Sequence, residues 1–451
     1  MSSTPTSRIA QWSSRWLFIL AATGSAVGLG NVWRFPYITG QNGGGAFVLM
    51  YIGLVIFIGM PVLMAEIMVG RRGAQNPVQS VANVAVESGL SARWGALGFL
   101  GILTSFFLLS IYSVVAGWSA AYVVRTFSGS FHGMTPLQVA ASHDAFLASP
   151  STLIFWHTVF ILATATVVAR GLREGLEKAI EVLVPGLFII LLILIAYACT
   201  TPGFKEGIAF LLTPQWEAIT PKAFLTALGQ AFFTLSIATA SMLIYGAYLP
   251  KNASIFKASL CIAGLDTLAA LLAGIAIFPI VFSYGLTPTE GPGLVFKTLP
   301  IAFGEMPYGT LFGGLFFTLL VFAALTSAIS MVEPMVAWIT QRFNMKRIWA
   351  TVWAAGLTWL VGLGAALSFN VWKNVRVGSL NYYEWLDLLV TMILLPAGGL
   401  LLAIFGGWYV TKKISFEELA MPTWIYNIWR FSVRFVAPVA VGIMVWMMIY
   451  Q

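Results

Sequence analysis

The chain is poor in charge: only 9% of its 451 residues are Asp, Glu, Lys or Arg, while 59% are hydrophobic. A soluble domain carries roughly 25% charged residues, so a soluble globular protein is excluded. Cysteine is nearly absent. Cys199 and Cys261 both lie in apolar segments, which rules out a disulfide framework or a CxxC metal or redox motif. His132, His143 and His157 are scattered around one connection and the start of the next apolar segment, with no local ligand spacing. No HExxH, GxSxG or acid pair occurs, so the sequence offers no constellation for a membrane enzyme. No cleavable signal is legible either, because the first sixteen residues are polar and the first apolar run is long and irregular.

Long apolar runs are abundant. Eleven reach the roughly 20 residues that cross a bilayer: residues 16–38, 45–69, 95–126, 152–170, 176–199, 222–248, 257–285, 309–340, 347–368, 384–409 and 431–450, numbered here as spans 1 to 11. The expected fold class is an all-α polytopic membrane protein with the lipid bilayer as its surroundings. Most of the lysines and arginines fall in the N-terminal segment and in the connections on its side, Arg71, Arg72, Arg170, Arg173, Lys251, Arg342 and Lys346 among them. Positive charge collects on the cytoplasmic side. This places the N-terminus inside and the C-terminus outside a cell membrane, and it explains the net charge of +8 without any nucleic acid.

Against this apolar background, Gly24 to Phe47 (GSAVGLGNVWRFPYITGQNGGGAF) is anomalous, since span 1 carries glycines, Asn31, Arg34 and Pro36. Unpaired backbone is tolerated at membrane depth only where it lines a cavity, and a charge there marks function. Span 6 has a second polar run, Thr234 to Ser241. Interrupted helices in corresponding halves point to a transporter site at an inverted repeat. The expected organisation is a single unit: 1–15 cytoplasmic, 16–199 the first repeat, 222–409 its inverted partner, and 431–450 an added helix.

GSAVGLGNVWRFP with NGGGAF, QAFFTLSIATASMLIYGAYL in span 6 and FAALTSAISMVEPMVAW in span 8 closely resemble the neurotransmitter:sodium symporters. The resemblance runs from Trp12 to span 11 and implies the leucine-transporter fold, eleven helices in a 5+5 inverted repeat with helices 1 and 6 broken. It also implies a sodium-coupled symporter of amino acids working by alternating access, as a monomer or weak dimer. Two sodium ions and no organic cofactor are implied. The first sodium would be held by Ala26, Asn31, Thr234 and Asp266. The second would be held by carbonyls of Gly24, Val27 and Ala323 and hydroxyls of Thr326 and Ser327. Such hard cations take oxygen ligands, whereas a Ser/Thr pair in an apolar helix otherwise bonds back to its own carbonyls.

By the same resemblance, the substrate carboxylate would meet Leu29, Gly30 and Tyr112, and its ammonium Ala26, Phe233, Thr234 and Ser236. Leu108, Tyr112, Phe233, Ser236, Thr239, Ser327, Ala328 and Met331 would line the side-chain pocket. Arg34 and Asp387 match the outer gate, with Phe233 as lid, and Trp12 with Arg8 the inner one. Asp266 stands where many relatives have asparagine, and Ala270 occupies the position at which chloride-independent relatives carry a carboxylate. We expect Asp266 to supply that charge and transport to need no chloride. Relatives often have Gly-x-Gly where this chain has Ala238-Thr239-Ala240; the added methyls favour Leu, Ile, Val or Met over tryptophan. Gly175 and Pro185 match a segment of span 5 that unwinds, and Glu66 is expected to bond the broken backbone of span 6. Glu333 has no evident role in the sequence. A non-transporting sensor, a carrier of another amino acid or amine, and a channel are the competing readings.

Overall fold

The computed structural model describes residues 10–286 and 293–450, with side chains to residue 447. Among these, nine single helices are long and apolar enough to cross a membrane: Gly45–Gly73, Ala92–Phe127, Pro150–Ala169, Leu172–Ala198, Ile255–Ser283, Gly309–Phe343, Arg347–Leu367, Tyr382–Tyr409 and Thr423–Met447. Arg15–Ala26 and Gly30–Gln41, bent by 48° at their junction, make a tenth span. Pro221–Thr234 and Ser241–Ala247, separated by residues 235–240, occupy the segment expected as span 6. Each of the eleven expected segments is thus helical, and ten of them are long and apolar enough to cross a membrane. Several edges shift, most at span 11, which begins at Thr423 rather than residue 431.

Span 1 starts at Ser14, whose hydroxyl accepts from the Leu17 N–H at 3.2 Å, an N-cap that satisfies one orphan donor. The helix leaves α geometry at Val27 (φ −74°, ψ 87°). The freed Gly28 N–H is taken up by the side chain of Asn31 at 3.1 Å. In span 6 the chain is more strongly bent. Ser236, Ala238 and Ala240 take φ of 53°, 65° and 57°. Left-handed geometry costs an L-residue about 1–2 kcal/mol, so this zigzag needs outside support. The Ala238 N–H donates to the buried Glu66 carboxylate at 3.3 Å, the contact expected of that residue. Ser236 Oγ donates to the Ser25 carbonyl at 2.9 Å, Thr239 Oγ1 to the Ser236 carbonyl at 2.6 Å, and Ser241 Oγ to the Ser330 carbonyl at 3.0 Å. Ser105 of span 3 donates to the Thr239 carbonyl.

The two breaks face each other against long spans 3 and 8, which pack along one another. Spans 4, 5 and 9 lie outside this core. They show large apolar side chains such as Phe155, Leu162, Ile189, Leu192, Trp349 and Trp353 to the surroundings, as lipid-facing helices must. The connections are more ordered than the sequence suggested. Helices Pro136–Ala148, Phe204–Leu212 and Leu299–Glu305 fill three of them, and Arg376–Val377 pairs antiparallel with Leu380–Asn381 in a fourth. In span 5 the segment expected to unwind is wound. The helix Lys178–Ala198 runs unbroken through Pro185, and the irregularity near Gly175 is a wide π-type turn at Leu172–Glu177.

Candidate functional site

The first expected cation constellation converges on Asp266, which is fully buried. Asn31 Nδ2 donates to its carboxylate at 2.8 Å and to its carbonyl at 3.0 Å. Thr234 Oγ1 lies 2.9 and 3.0 Å from the two carboxylate oxygens. Tyr51 of span 2 adds a hydroxyl at 3.2 Å. Three polar side chains from spans 1, 2 and 6 are thus turned toward one carboxylate on span 7. A bare charge in that setting is costly unless compensated, and a cation among these oxygens would compensate it. Tyr51 was not expected, since nothing in its local sequence marks it. Ala270, one turn on, is buried and offers no charge.

The second constellation joins spans 1 and 8. Thr326 Oγ1 donates to the carbonyls of Phe322 (3.1 Å) and Ala323 (3.0 Å), the self-bonding pattern of a membrane-helix threonine. Ser327 does otherwise. Its hydroxyl reaches the carbonyls of Ser25 (3.0 Å) and Gly24 (3.4 Å) at the end of the first half of span 1. A methyl placed on Gly24 would lie 3.2 Å from Thr326 Cβ, so the helices touch here. Carbonyls of Gly24 and Ala323 and both hydroxyls are neighbours, and Val27 lies at the end of the same half-helix. Ser25 Oγ also donates to Ser330 Oγ at 2.7 Å, a link the sequence did not reveal.

Between the two sets lies a cradle. The Tyr112 hydroxyl accepts from the Leu29 N–H at 3.2 Å. A methyl on Gly28 would come within 2.5 Å of Ser327 Oγ and 3.0 Å of the Tyr112 oxygen, so only a glycine leaves the backbone open to this spot. The second half of span 1 begins here, and the positive dipole end of its N-terminus suits an anion. Phe233 covers the cradle. A methyl on Gly30 would lie 2.9 Å from its ring, and the Gly30 carbonyl accepts from Gln230 at 2.8 Å. Leu108, Ala328 and Met331 are buried apolar residues on spans 3 and 8, and Ala26 is buried at the end of the first half of span 1. Ser236 and Thr239 lie in the span 6 break, their hydroxyls committed to backbone carbonyls.

Arg34 stacks on Phe233, its guanidinium carbon 4.9 Å from the ring centre. Arg34, Phe233 and Asp387 line one cavity of about 720 Å³ with Trp33, Phe296 and Tyr383. Among the described residues, Arg34 and Asp387 make no ion pair within 4 Å: the two expected gate residues share a vestibule without being closed on each other. The opposite end is sealed. Trp12 is buried, its indole N–H donating to the Tyr245 carbonyl at 3.2 Å and its own N–H to the Tyr248 carbonyl at 3.1 Å. Ser13 donates through both N–H (2.8 Å) and hydroxyl (2.7 Å) to Glu177 at the foot of span 5. Arg8 lies outside the described residues. Glu333 acquires a place here. It is fully buried, accepts from Tyr248 at 2.6 Å and is paired with Arg347, which also binds the Val168 carbonyl at 2.8 Å.

The alanines of the span 6 break correct the size argument drawn from sequence. A methyl on Gly398 of span 10 would lie 2.7 Å from Ala238 Cβ, and one on Gly101 of span 3 would lie 2.8 Å from Ala240 Cβ. Both alanine methyls are therefore spent on helix packing against spans 10 and 3.

Two broken helices, oxygen-rich constellations beside an anion cradle, a vestibule at one end and a seal at the other define a secondary transporter. The chain matches the sodium:neurotransmitter symporter family over residues 9–135 and 146–451, and it belongs to that family. It is 39% identical to an uncharacterized sodium-dependent transporter, YhdH, of Bacillus subtilis (strain 168), across 96% of each chain. It is 34% identical to an uncharacterized sodium-dependent transporter of Haemophilus influenzae, over 95% of this chain and 96% of that one. The crystal structure of MhsT in complex with L-phenylalanine superposes with a TM-score of 0.89 at 39% identity, covering 97% of this chain and 99% of that one. The protein is thus a multi-pass, sodium-dependent transporter of the leucine-transporter fold and not an enzyme.

Proposed function

We propose that the protein imports hydrophobic α-amino acids together with sodium, without chloride, across a cell membrane in which its N-terminus is cytoplasmic. One observation carries this reading: Asn31, Thr234 and Tyr51 all turn to the buried Asp266 beside the Leu29–Tyr112 cradle. Sodium at Asp266 would neutralise the carboxylate and draw the second half of span 1 toward spans 6 and 7, shaping the cradle. The substrate carboxylate would take the Leu29 and Gly30 N–H groups and the Tyr112 hydroxyl, and its ammonium the carbonyls of Ala26, Phe233 and Thr234. A second sodium would lie among Gly24, Val27, Ala323, Thr326 and Ser327, tying span 1 to span 8. Alternating access then opens the sealed end at Trp12 and Glu333 as Phe233, Arg34 and Asp387 close the vestibule. Sodium and substrate must raise each other's affinity by the same factor.

Leu108, Ala328 and Met331 are buried and apolar, and as the lining of the side-chain pocket they would favour a hydrophobic side chain. Because the Ala238 and Ala240 methyls pack elsewhere, they set no upper size, and the proposed range extends from aliphatic to aromatic amino acids. The phenylalanine held by MhsT supports that extension. The test is binding of labelled leucine to purified protein, competed by all twenty amino acids, with sodium or potassium and with chloride or gluconate. The expectation is sodium-dependent binding displaced by Leu, Ile, Met and Phe and indifferent to gluconate. Asp266→Asn should weaken apparent sodium affinity and make binding respond to chloride, since an ion pair at about 4 Å and an effective dielectric of about 20 is worth about 4 kcal/mol. Loss of wild-type binding in gluconate would sink the chloride assignment; displacement only by polar amino acids would sink the substrate class.

A further inference from the structure

Span 11 carries two arginines one turn apart, Arg430 and Arg434. This end of the span lies on the same side of the membrane as Trp12. The connection from span 10 brings Glu418 to Lys251, three residues after Tyr248, whose carbonyl binds the Trp12 N–H. Helical residues 431–450 cover about 30 Å, the depth of a hydrocarbon core. Arg430 therefore stands at the edge of that core and Arg434 about 6 Å inside it. Both guanidinium groups are held in place. Arg430 donates to the hydroxyls of Tyr426 and Ser415 at 2.6 and 2.9 Å. Arg434 Nε donates to the Gly407 carbonyl at 2.6 Å, and its guanidinium carbon lies 5.1 Å from the centre of the Trp408 ring, whose N–H binds the Arg434 carbonyl in return. An arginine that only snorkels is free to follow the water. Arg434 is pinned by one nitrogen, and its two terminal nitrogens have no hydrogen-bond partner among the described residues.

Like charges at this spacing repel, yet no carboxylate lies within 4 Å of either arginine among the described residues. The acids of the neighbouring connection are engaged elsewhere: Glu417 with Arg72, and Glu418 with Arg71, Arg72 and Lys251. Beside Arg434 an aromatic ladder faces the surroundings. Phe431, Phe435 and Trp408 are exposed, with ring centres 5.4 Å apart for the first pair and 5.3 Å for the second.

We propose that Arg430 and Arg434 form a binding site for one anionic phospholipid of the leaflet on the Trp12 side. Its phosphate would take the free terminal nitrogens of Arg434 within the field of Arg430, and an acyl chain would lie along the aromatic ladder. Depth and charge select the occupant. Unbonded N–H groups at membrane depth need an acceptor, and a planar guanidinium suits phosphate. A doubly positive patch without an acid favours a lipid of net negative charge, because a zwitterionic lipid brings its own cation to the same place. The bound lipid would brace span 11 against the end of span 10.

The purified full-length protein, delipidated in detergent, is titrated with dioleoylphosphatidylglycerol or dioleoylphosphatidylcholine, and the retained lipid is counted by native mass spectrometry. One phosphatidylglycerol should be retained in preference to phosphatidylcholine. Arg434→Gln should cut that preference about fivefold, the worth of one cation beside an anionic headgroup, and Arg430→Gln/Arg434→Gln should abolish it. Lys373→Gln, which removes an exposed cation from the opposite side of the protein, should leave it unchanged. A single size-exclusion peak and a wild-type melting temperature in phosphatidylcholine report that each variant is folded; if the double variant fails this control, Arg434→Gln alone decides. Equal retention of the two lipids, a preference unchanged in Arg434→Gln, an equal loss in Lys373→Gln, or displacement of the lipid by inorganic phosphate would each overturn the proposal.

Discussion

The packing of Ala238 against Gly398 can be tested by moving one methyl across a helix interface. In Gly398→Ala the new Cβ would lie 2.7 Å from Ala238 Cβ. The optimum for two carbons is about 3.5–4.0 Å, so an overlap of roughly 1 Å must be relieved, at about 1–3 kcal/mol. Ala238→Gly loses a buried methyl, about 0.8 kcal/mol, and relieves left-handed strain of about 1–2 kcal/mol, so on its own it should change stability little. In Ala238→Gly/Gly398→Ala the methyl only changes walls, and the clash disappears. The cycle cancels the helix preference of Gly398 and leaves a favourable coupling of about 1–3 kcal/mol. Thermal unfolding in detergent with sodium present reads it. Gly101→Ala is the control: its Cβ would also lie 3.0 Å from the Ala240 backbone nitrogen, so Ala240→Gly should not rescue it fully. The same proteins give amino-acid competition profiles, and Ala238→Gly should leave the order of Leu, Phe and Trp unchanged. Additive single effects, or a shift of Ala238→Gly toward tryptophan, would refute this placement of the methyl.

Two further predictions concern groups outside the cradle. Glu333→Gln strands the Arg347 charge while still leaving Tyr248 an amide oxygen as acceptor; breaking such a buried pair costs about 3 kcal/mol, so the melting temperature should fall, and Glu333→Gln/Arg347→Gln should melt above either single variant, whereas a double variant no better than the singles would deny the pairing its role in the inner seal. His143, on the connecting helix Pro136–Ala148, bonds Tyr122 at 2.7 Å; burial, helped by Lys297 and Arg125 and opposed by Asp144, lowers its pKa to about 4. The folded value lies below the ordinary 6.5, so its contribution to stability is full above pH 6.5 and is lost as pH falls toward 4, by up to about 3 kcal/mol; thermal stability should drop across that window and His143→Gln should flatten the drop, an unchanged slope denying the assignment.

What the sequence disclosed and what it hid follow from one physical distinction. A span that breaks its own hydrogen-bond ladder announces itself locally, because glycine, asparagine and arginine have no reason to be in a lipid-spanning helix. Span 1 and the polar run of span 6 were legible for that reason, and so was Asp266, whose burial in an apolar span required a partner. Partners contributed by distant spans leave no such trace. Tyr51 reads as an ordinary tyrosine of span 2 until span 7 brings Asp266 beside it, and Ser25–Ser330 joins residues 305 positions apart. Glu333 was visible as an anomaly, yet its cation, Arg347, belongs to the next span and reads there as one more cytoplasmic positive charge. The alanines of span 6 show a deeper limit. Their identity was known, but the direction of a methyl depends on the sign of φ, and in a chain that alternates between hands neighbouring residues can point to opposite walls. An alanine in place of glycine therefore narrows the pocket or fills a helix interface according to backbone geometry alone, which is why substrate size must be read from the residues proposed to line the side-chain pocket, Leu108, Ala328 and Met331, and not from the break itself.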